Sequence, residues 1–223
     1  MVKNLQIVGS TLTFMAAMPL IHPVRTFIAL PLSPEPAAEL MAFYDRLRRR
    51  FASDLVRWTP PEQWHLTLRF LGDVAPEEWL ALETALRQAC ATQPAFQMQW
   101  TGLGGFPGLD APRVIWLGLA GELDQLAVLQ EKVSQATAPW GSHRETQKFH
   151  PHLTLGRVKL DSSGDRRSIG ERLISLPFPS RCRWHADQVI LMRSDLTSNG
   201  AVHVPVAVVP LPERGIGVSQ PHP

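Results

Sequence analysis

Trp64-His65-Leu66-Thr67-Leu68-Arg69-Phe70-Leu71 and Phe149-His150-Pro151-His152-Leu153-Thr154-Leu155-Gly156-Arg157-Val158 carry one tetrapeptide, His-Leu-Thr-Leu, twice. For four given residues to recur in a chain of this composition is about a one per cent event. The tetrapeptide alternates polar and apolar residues, which is the pattern of a half-buried strand. His65 and Thr67 then project from one face with Arg69, while Leu66, Leu68 and Phe70 project from the other. In the second copy His150, His152 and Thr154 share a face and Leu153 and Leu155 pack inward. Arg157 follows at an odd offset and needs a twist or the strand end to bring it round. Two such strands facing each other offer two imidazoles to one small anion.

The elements around the two copies follow from periodicity. Val24–Leu30 is β-branched and aromatic and reads as a strand, and Ala37–Phe51 repeats apolar residues at helical spacing. Trp64–Leu71 is the first motif strand, and Pro76–Ala91 opens with a proline and two glutamates as a helix does. Phe96–Leu103 and Val114–Leu119 read as a hairpin across the Gly- and Pro-rich segment 104–112. Leu123–Ala136 is a third helix, His152–Lys159 the second motif strand, and Ile169–Ile174 a short helix after the charged loop 161–167. Gln188–Arg193 and Val202–Val209 close the fold, with Pro205 confining the last strand to an edge or a bulge. Each motif strand follows a helix, and the two motifs lie 87 residues apart (152 minus 65). The order predicts an α+β fold, bilobal, with two antiparallel-type sheets, helices on the outer faces and a groove between pseudo-repeated lobes.

Composition narrows the class. At 223 residues, 44% hydrophobic and 19% charged, the chain can bury its own core without disulfides or metals. It contains no apolar run long enough to span a bilayer, so no membrane partner is expected. Net charge is +2, too small to dictate a polyanionic partner. Cys90 and Cys182 form no close-spaced pair and read as reduced thiols of a cytoplasmic protein. Residues 1–24 superficially resemble a secretory leader, but Gly9, Ser10, Thr11 and Thr13 interrupt the apolar stretch and no small-residue cleavage site follows. They read as an extension before a domain spanning 25–211, with Met15 and Met18 as alternative starts and 212–223 as a tail.

The two histidines have a chemical use that one lacks. The ordinary imidazole pKa, about 6.5, lets one copy be neutral and the other protonated near neutral pH. In-line displacement at a phosphodiester needs a base for water, an acid for the leaving alkoxide and donors for the charged oxygens. His65 and His152 are the candidate catalytic pair. Thr67 and Thr154 are candidate phosphate donors, and Arg69 and Arg157 candidate neutralising groups. No metal is required, and no cofactor is expected. His150-Pro151-His152 with His22 or His185 could be read as a metal set, but no carboxylate or thiol stands at ligand spacing beside it. His22, His143, His185, His203 and His222 belong to no motif and read as surface or loop residues. Trp64 and Phe149 read as core, and Arg46, Arg48, Arg49 and Arg50 as the solvated side of the first helix.

At these residues the chain resembles the 2H phosphoesterase superfamily, and within it the bacterial and archaeal RNA 2′,3′-cyclic phosphodiesterases, also called the 2′-5′ RNA ligase family. The likeness runs from about Arg25 to Leu211. It includes the opening RTFIALPL, the lead-in RWTPPEQWHLTLRFLGDV, the segment GLGGFP followed by RVIWLGL, the block FHPHLTLGRV and the closing LMRSDL. The resemblance implies metal-free hydrolysis of RNA 2′,3′-cyclic phosphate ends to 2′-phosphates, with tRNA fragments among the substrates, and reversible 2′-5′ ligation of tRNA halves. It implies that His65 protonates the leaving 3′ oxygen, that His152 activates water, and that Thr67 and Thr154 hold the phosphate. A monomer is expected. Two departures stand out: Gly156 replaces an alanine common in relatives, and His203 lies in the closing strand where an aromatic residue is expected. Cleavage of 2′-5′ linked oligonucleotides or of a small cyclic nucleotide, and a binding module that holds RNA ends without turnover, are the alternatives the motifs leave open.

Overall fold

The computed structural model describes residues 22–32, 34–51, 55–143, 148–159, 163–176, 178, 183–197 and 200–214. Cys182 and residues 1–21 lie outside them. Among the described residues nine strands and four α-helices follow in the order β1 (Val24–Pro31), α1 (Pro34–Arg49), β2 (Val56–Trp58), β3 (His65–Val74), α2 (Trp79–Cys90), β4 (Phe96–Phe106), β5 (Val114–Gly121), α3 (Leu123–Ala136), β6 (His152–Val158), α4 (Ser163–Ile174), β7 (Arg183–Ala186), β8 (Gln188–Thr197) and β9 (Gly200–Pro210).

All strand pairs are antiparallel, in the order β7-β4-β5-β6-β3-β1-β8-β9, with β2 pairing with β6 beside that path. The order divides into two halves of four strands about its centre. The motif strands β3 and β6 meet there, and each is flanked outward by three strands of its own half. The sequence predicts two sheets, whereas backbone pairing carries across the centre through one register pair, Leu66 with Leu153, to make one nine-stranded sheet. Both leucines are 0% exposed, so the seam is an apolar contact behind the sheet as well as a backbone one.

The duplication extends beyond the tetrapeptide. In the β1–β3 pair, Phe27 faces Phe70, Ile28 faces Arg69 and Ala29 faces Thr67. In the β5–β6 pair, Val114 faces Arg157, Ile115 faces Gly156 and Trp116 faces Thr154. Every position in the second set lies 87 residues beyond its counterpart in the first. Both pairs also skip one residue at the same place, Leu68 in β3 and Leu155 in β6. Such an extra residue is a β-bulge, and it reverses the side on which every following side chain emerges.

The helices cover the leucine side. Tyr44 of α1 packs edge-on against Trp58 and Trp64 with centroids 5.9 and 4.9 Å away, and its hydroxyl donates to the Thr59 carbonyl at 2.7 Å. Burial pushes that phenol up to about 12. Leu126, Leu129 and Val133 of α3 are buried, and Gln130 of the same helix donates to the Leu68 carbonyl at 3.4 Å. The segment between β5 and β6 thus lies behind β3 of the other half. Conversely, the segment between β1 and β3 packs on β2, which pairs with β6. Each half is covered by a helix from the other. Trp64 is 3% exposed and Phe149 packs on the core, as their place beside the motif strands suggests.

The short helix expected at 169–174 begins earlier, at Ser163. Strands β2 and β7 were not anticipated, being three and four residues long, too short for alternation to register. Pro205 lies in β9, an edge strand of the sheet, beside a register shift between Leu191 and Met192. Cys90 is a free buried thiol at the end of α2, pushed by its burial up to about 11.

Candidate active site

Register fixes which motif side chains are neighbours. With Leu66 opposite Leu153 in an antiparallel pair, Thr67 falls beside His152 and His65 falls beside Thr154. All four emerge on the face opposite the buried leucines. Each histidine therefore neighbours the threonine of the other copy, and the two imidazoles lie on a diagonal with the hydroxyls at the remaining corners. Thr67 and Thr154 have no side-chain hydrogen-bond partner among the described residues, so both hydroxyls are available to a ligand.

The two imidazoles are anchored identically. The Nδ1 of His65 lies 2.7 Å from the Gln63 carbonyl and the Nδ1 of His152 lies 2.7 Å from the His150 carbonyl, in each case two residues upstream. A carbonyl can only accept, so Nδ1 carries the proton in both rings and Nε2 is left facing the groove. Neutral, that Nε2 is a base; protonated, it is an acid. The surroundings then separate the two copies. Burial first, and then the like charges of His203 and His152, pull His65 down to about 4 against the Gln63 bond, which raises it. His152 is lowered too, by burial first and then by His150 and Arg157, while the His150 carbonyl raises it.

The bulges decide the arginines. Strict alternation puts Arg69 on the face of His65 and Thr67, but the extra residue at Leu68 turns it to the helix side with Ile28. There its guanidinium donates to the Ser134 carbonyl at 2.8 Å and to the Thr137 hydroxyl at 2.6 Å, both in or just after α3. Arg69 thus ties a strand to a helix and does not join the groove. The same bulge brings Phe70, expected among the leucines, to the groove side, where it is 51% exposed and 5.9 Å from the Phe27 ring. In β6 the bulge at Leu155 turns Gly156 to the core and brings Arg157 round to the side of Thr154. This supplies the turn that the odd offset of Arg157 demands.

His203 is a candidate site residue that the sequence pattern does not mark. Expected at the surface, it instead presents its ring 5.2 Å from that of His65 at 89° and 4.9 Å from that of Phe27 at 78°. Its Nδ1 is buried with no hydrogen-bond partner among the described residues, and burial lowers its pKa. No motif marks it; its placement in the closing strand at an expected aromatic position was the available signal. On the other side His152 is walled by Phe106 at 5.0 Å and Trp116 at 6.0 Å, with His150 at 6.2 Å. The Trp116 indole fits there because Gly104 lies across from it and a Cβ would overlap the ring. His22 and His143 are exposed, as expected, whereas His185 lies in β7 and bonds to Gln97 at 2.9 Å. Among the described residues no group of three or more His, Cys, Asp or Glu side chains is gathered as a metal set, and no helix is long and apolar enough to cross a membrane.

Comparison with known proteins addresses the same face. The sequence profile of the family described as LigT like phosphoesterase matches residues 30–116. Proteins named RNA 2′,3′-cyclic phosphodiesterase are similar along the chain. The one from Methanothermobacter thermautotrophicus is 29% identical over 185 residues, 83% of this chain and 97% of that one. The one from Thermotoga maritima is 33% identical over 136 residues, 61% of this chain and 71% of that one. The one from Aeropyrum pernix is 40% identical over 98 residues, which span only 54% of its length. In three dimensions, crystal structures of Escherichia coli LigT in its apo form and of a Thermus thermophilus protein superpose with TM-scores of 0.66 and 0.64 at 24% and 25% identity. They cover 86% and 85% of this chain, and 99% and 98% of theirs. A shared architecture, shared sequence along most of two relatives and a paired His-x-Thr face all lead to one assignment: this chain belongs to the LigT-like phosphoesterase family of 2H phosphoesterases.

Proposed function

We propose that the protein opens 2′,3′-cyclic phosphate ends of RNA to 2′-phosphates by two-histidine acid–base catalysis. The observation that carries this reading is the diagonal placement of two Nε2 atoms, each backed by a carbonyl-bound Nδ1, across a square completed by two unengaged hydroxyls. In-line displacement needs its base and its acid on opposite sides of phosphorus, and a diagonal pair meets that demand. His152 takes the proton of the attacking water as the new P–O bond forms. His65 gives its proton to the 3′ oxygen as the old bond breaks, and the pair is reset by exchange with solvent. Thr67 and Thr154 donate to the non-bridging oxygens, and Arg157 balances their charge.

In the free protein His65 is neutral near pH 7. The role of acid therefore depends on the bound phosphate anion, whose charge opposes the repulsion between the imidazoles and favours the protonated ring. The same displacement with an RNA 5′ hydroxyl in place of water, the P–O3′ bond again breaking and the 3′ oxygen again taking the proton, joins ends through a 2′-5′ linkage. We take the working form to be a cytoplasmic monomer acting on RNA ends such as tRNA fragments. The names of the relatives support the substrate class.

The test is conversion of a nucleoside 2′,3′-cyclic phosphate to the 2′-phosphate by purified protein in EDTA, followed by chromatography. Turnover that survives chelation and is lost in His65→Ala and His152→Ala is the expected result. Turnover abolished by EDTA and restored by zinc would replace the two-histidine reading with a metal hydrolase, and unchanged turnover in both variants would remove the mechanism.

A further inference from the structure

Beyond the His-Thr square, the face has a third rung. Arg57 of β2 stands directly opposite Arg157 of β6, on the same side of the sheet, and both are exposed. β2 takes the place beside β6 that β3 holds lower down, so the rungs run Thr67 with His152, His65 with Thr154, and Arg57 with Arg157. Facing residues of an antiparallel pair have Cβ atoms about 4.5–5.5 Å apart, and like charges there destabilise the pair. Nothing among the described residues relieves it. Among the described residues the ion pairs engage Arg87, Arg193 and Arg214, and neither Arg57 nor Arg157 has a hydrogen-bond partner there. Arg57 also lies beside Gly200, at the start of β9. A Cβ placed on Gly200 would lie 3.7 Å from its Nη1 and 4.0 Å from its Cδ.

An uncompensated, exposed guanidinium pair beside Gly200 and one rung from the His-Thr square offers a place for a second phosphate. We propose that Arg57, with Arg157, binds the phosphate on the 5′ oxygen of the nucleotide whose cyclic phosphate is opened, so that the preferred substrate is a phosphorylated RNA end and not a free nucleoside cyclic phosphate. This rests on the reaction proposed above. Arg157 serves both anions, whereas Arg57 reaches only the outer one. The ligand chemistry is a phosphate ester on the 5′ oxygen, supplied either by the preceding nucleotide of a chain or by a lone 5′-phosphate.

Two measurements test it on the full chain. In calorimetry a nucleoside 2′,5′-bisphosphate binds the wild type about tenfold more tightly than the 2′-monophosphate, the size expected of a charge-assisted contact. Arg57→Gln removes that advantage and leaves the monophosphate affinity within about twofold, and Arg57→Lys keeps part of it because the charge remains without the fork. In turnover, a 5′-phosphorylated cyclic nucleotide and a short RNA with a cyclic end both show lower KM than the 5′-hydroxyl nucleoside cyclic phosphate. The salt dependence of oligonucleotide binding drops by about 0.7 in log–log slope in Arg57→Gln. Equal binding of the two product analogues by the wild type, or an advantage that persists in Arg57→Gln, overturns the proposal. A binding advantage without any hydrolysis would overturn the reaction and leave the subsite standing. Hydrolysis without the advantage would do the reverse. An advantage for the RNA but not for the 5′-phosphorylated mononucleotide would overturn the assignment to this phosphate.

Discussion

The motif strands β3 and β6 share a tetrapeptide, a bulge, a buried leucine pair and a carbonyl-anchored imidazole, yet they deliver different chemistry to the groove. The divergence begins after the bulge, where β3 reads Arg69-Phe70 and β6 reads Gly156-Arg157. One half therefore sends an arginine back to its helix and an aromatic ring forward, and the other sends a glycine back and an arginine forward. His65 ends among Phe27 and His203, and His152 ends between Phe106, Trp116 and Arg157. The repeat supplies two equal motifs, and their neighbours then give them unequal surroundings.

The largest effect that can break this comparison is removal of either imidazole. His65→Ala and His152→Ala should each lower kcat by about 10²- to 10⁴-fold, the range for a positioned acid or base. The double variant should be little worse than the poorer single one, because the two act as a unit. Steady-state rates on a cyclic nucleotide check both statements. A variant in which one histidine alone carries nearly full activity would break the pairing.

Next come the two arginines, which strict alternation treats as equivalents and the bulges separate. Arg157→Gln should cost about ten- to a hundredfold in kcat/KM, as expected for loss of a charge-assisted phosphate contact, with thermal stability unchanged. Arg69→Gln should do the opposite. It leaves the Ser134 carbonyl and the buried Thr137 hydroxyl without their donor, at a cost of about 1–3 kcal/mol in urea unfolding, with kcat/KM within about twofold. If Arg69→Gln impaired turnover more than folding, the face assignment of both arginines would be wrong.

Titration offers a smaller effect. Both motif imidazoles are held below the ordinary 6.5 in the free protein, His65 near 4. Since kcat/KM reports free-enzyme groups, its maximum should fall on the acid side of pH 6.5, and the limbs of kcat should move upward once the phosphate anion is bound. Stability follows the same linkage. Between pH 6.5 and about 4 the unfolded chain binds protons that the folded His65 refuses, so stability falls as pH falls through that window. His65→Gln should flatten that part of the melting-temperature profile. A profile as steep as that of the wild type would remove the burial argument. The smallest expected effect is at Phe70: substitution by Ala should raise KM by a few fold through lost apolar contact, with kcat unchanged.

Much of this was legible in the sequence, and the exceptions have a common cause. Alternation and helical period located β1, α1, β3, α3 and β6 to within a few residues, because each buries one face and exposes the other. The histidines and threonines followed from the repeat. Arg69 and Phe70 exchanged sides because a bulge adds a residue without any compositional mark; no letter in Leu-Thr-Leu-Arg announces that Leu68 is the extra one. The single register pair between Leu66 and Leu153 that merges two expected sheets into one is equally silent. His203 was overlooked because its role depends on a closing strand returning to a site some 140 residues upstream in the chain, a contact that local pattern cannot express.

That return has a consequence for how the protein is made. β8 (Gln188–Thr197) pairs with β1 (Val24–Pro31) and β9 (Gly200–Pro210) forms the outer edge of the half that β1 begins. β1 therefore leaves a ribosome well before β8 and β9, with which its side of the sheet is completed, and pairings across that much chain are slow to form. Until then the half carrying His65 lacks both its edge and His203, so a nascent or prematurely ended chain would carry both motifs and still lack a finished groove.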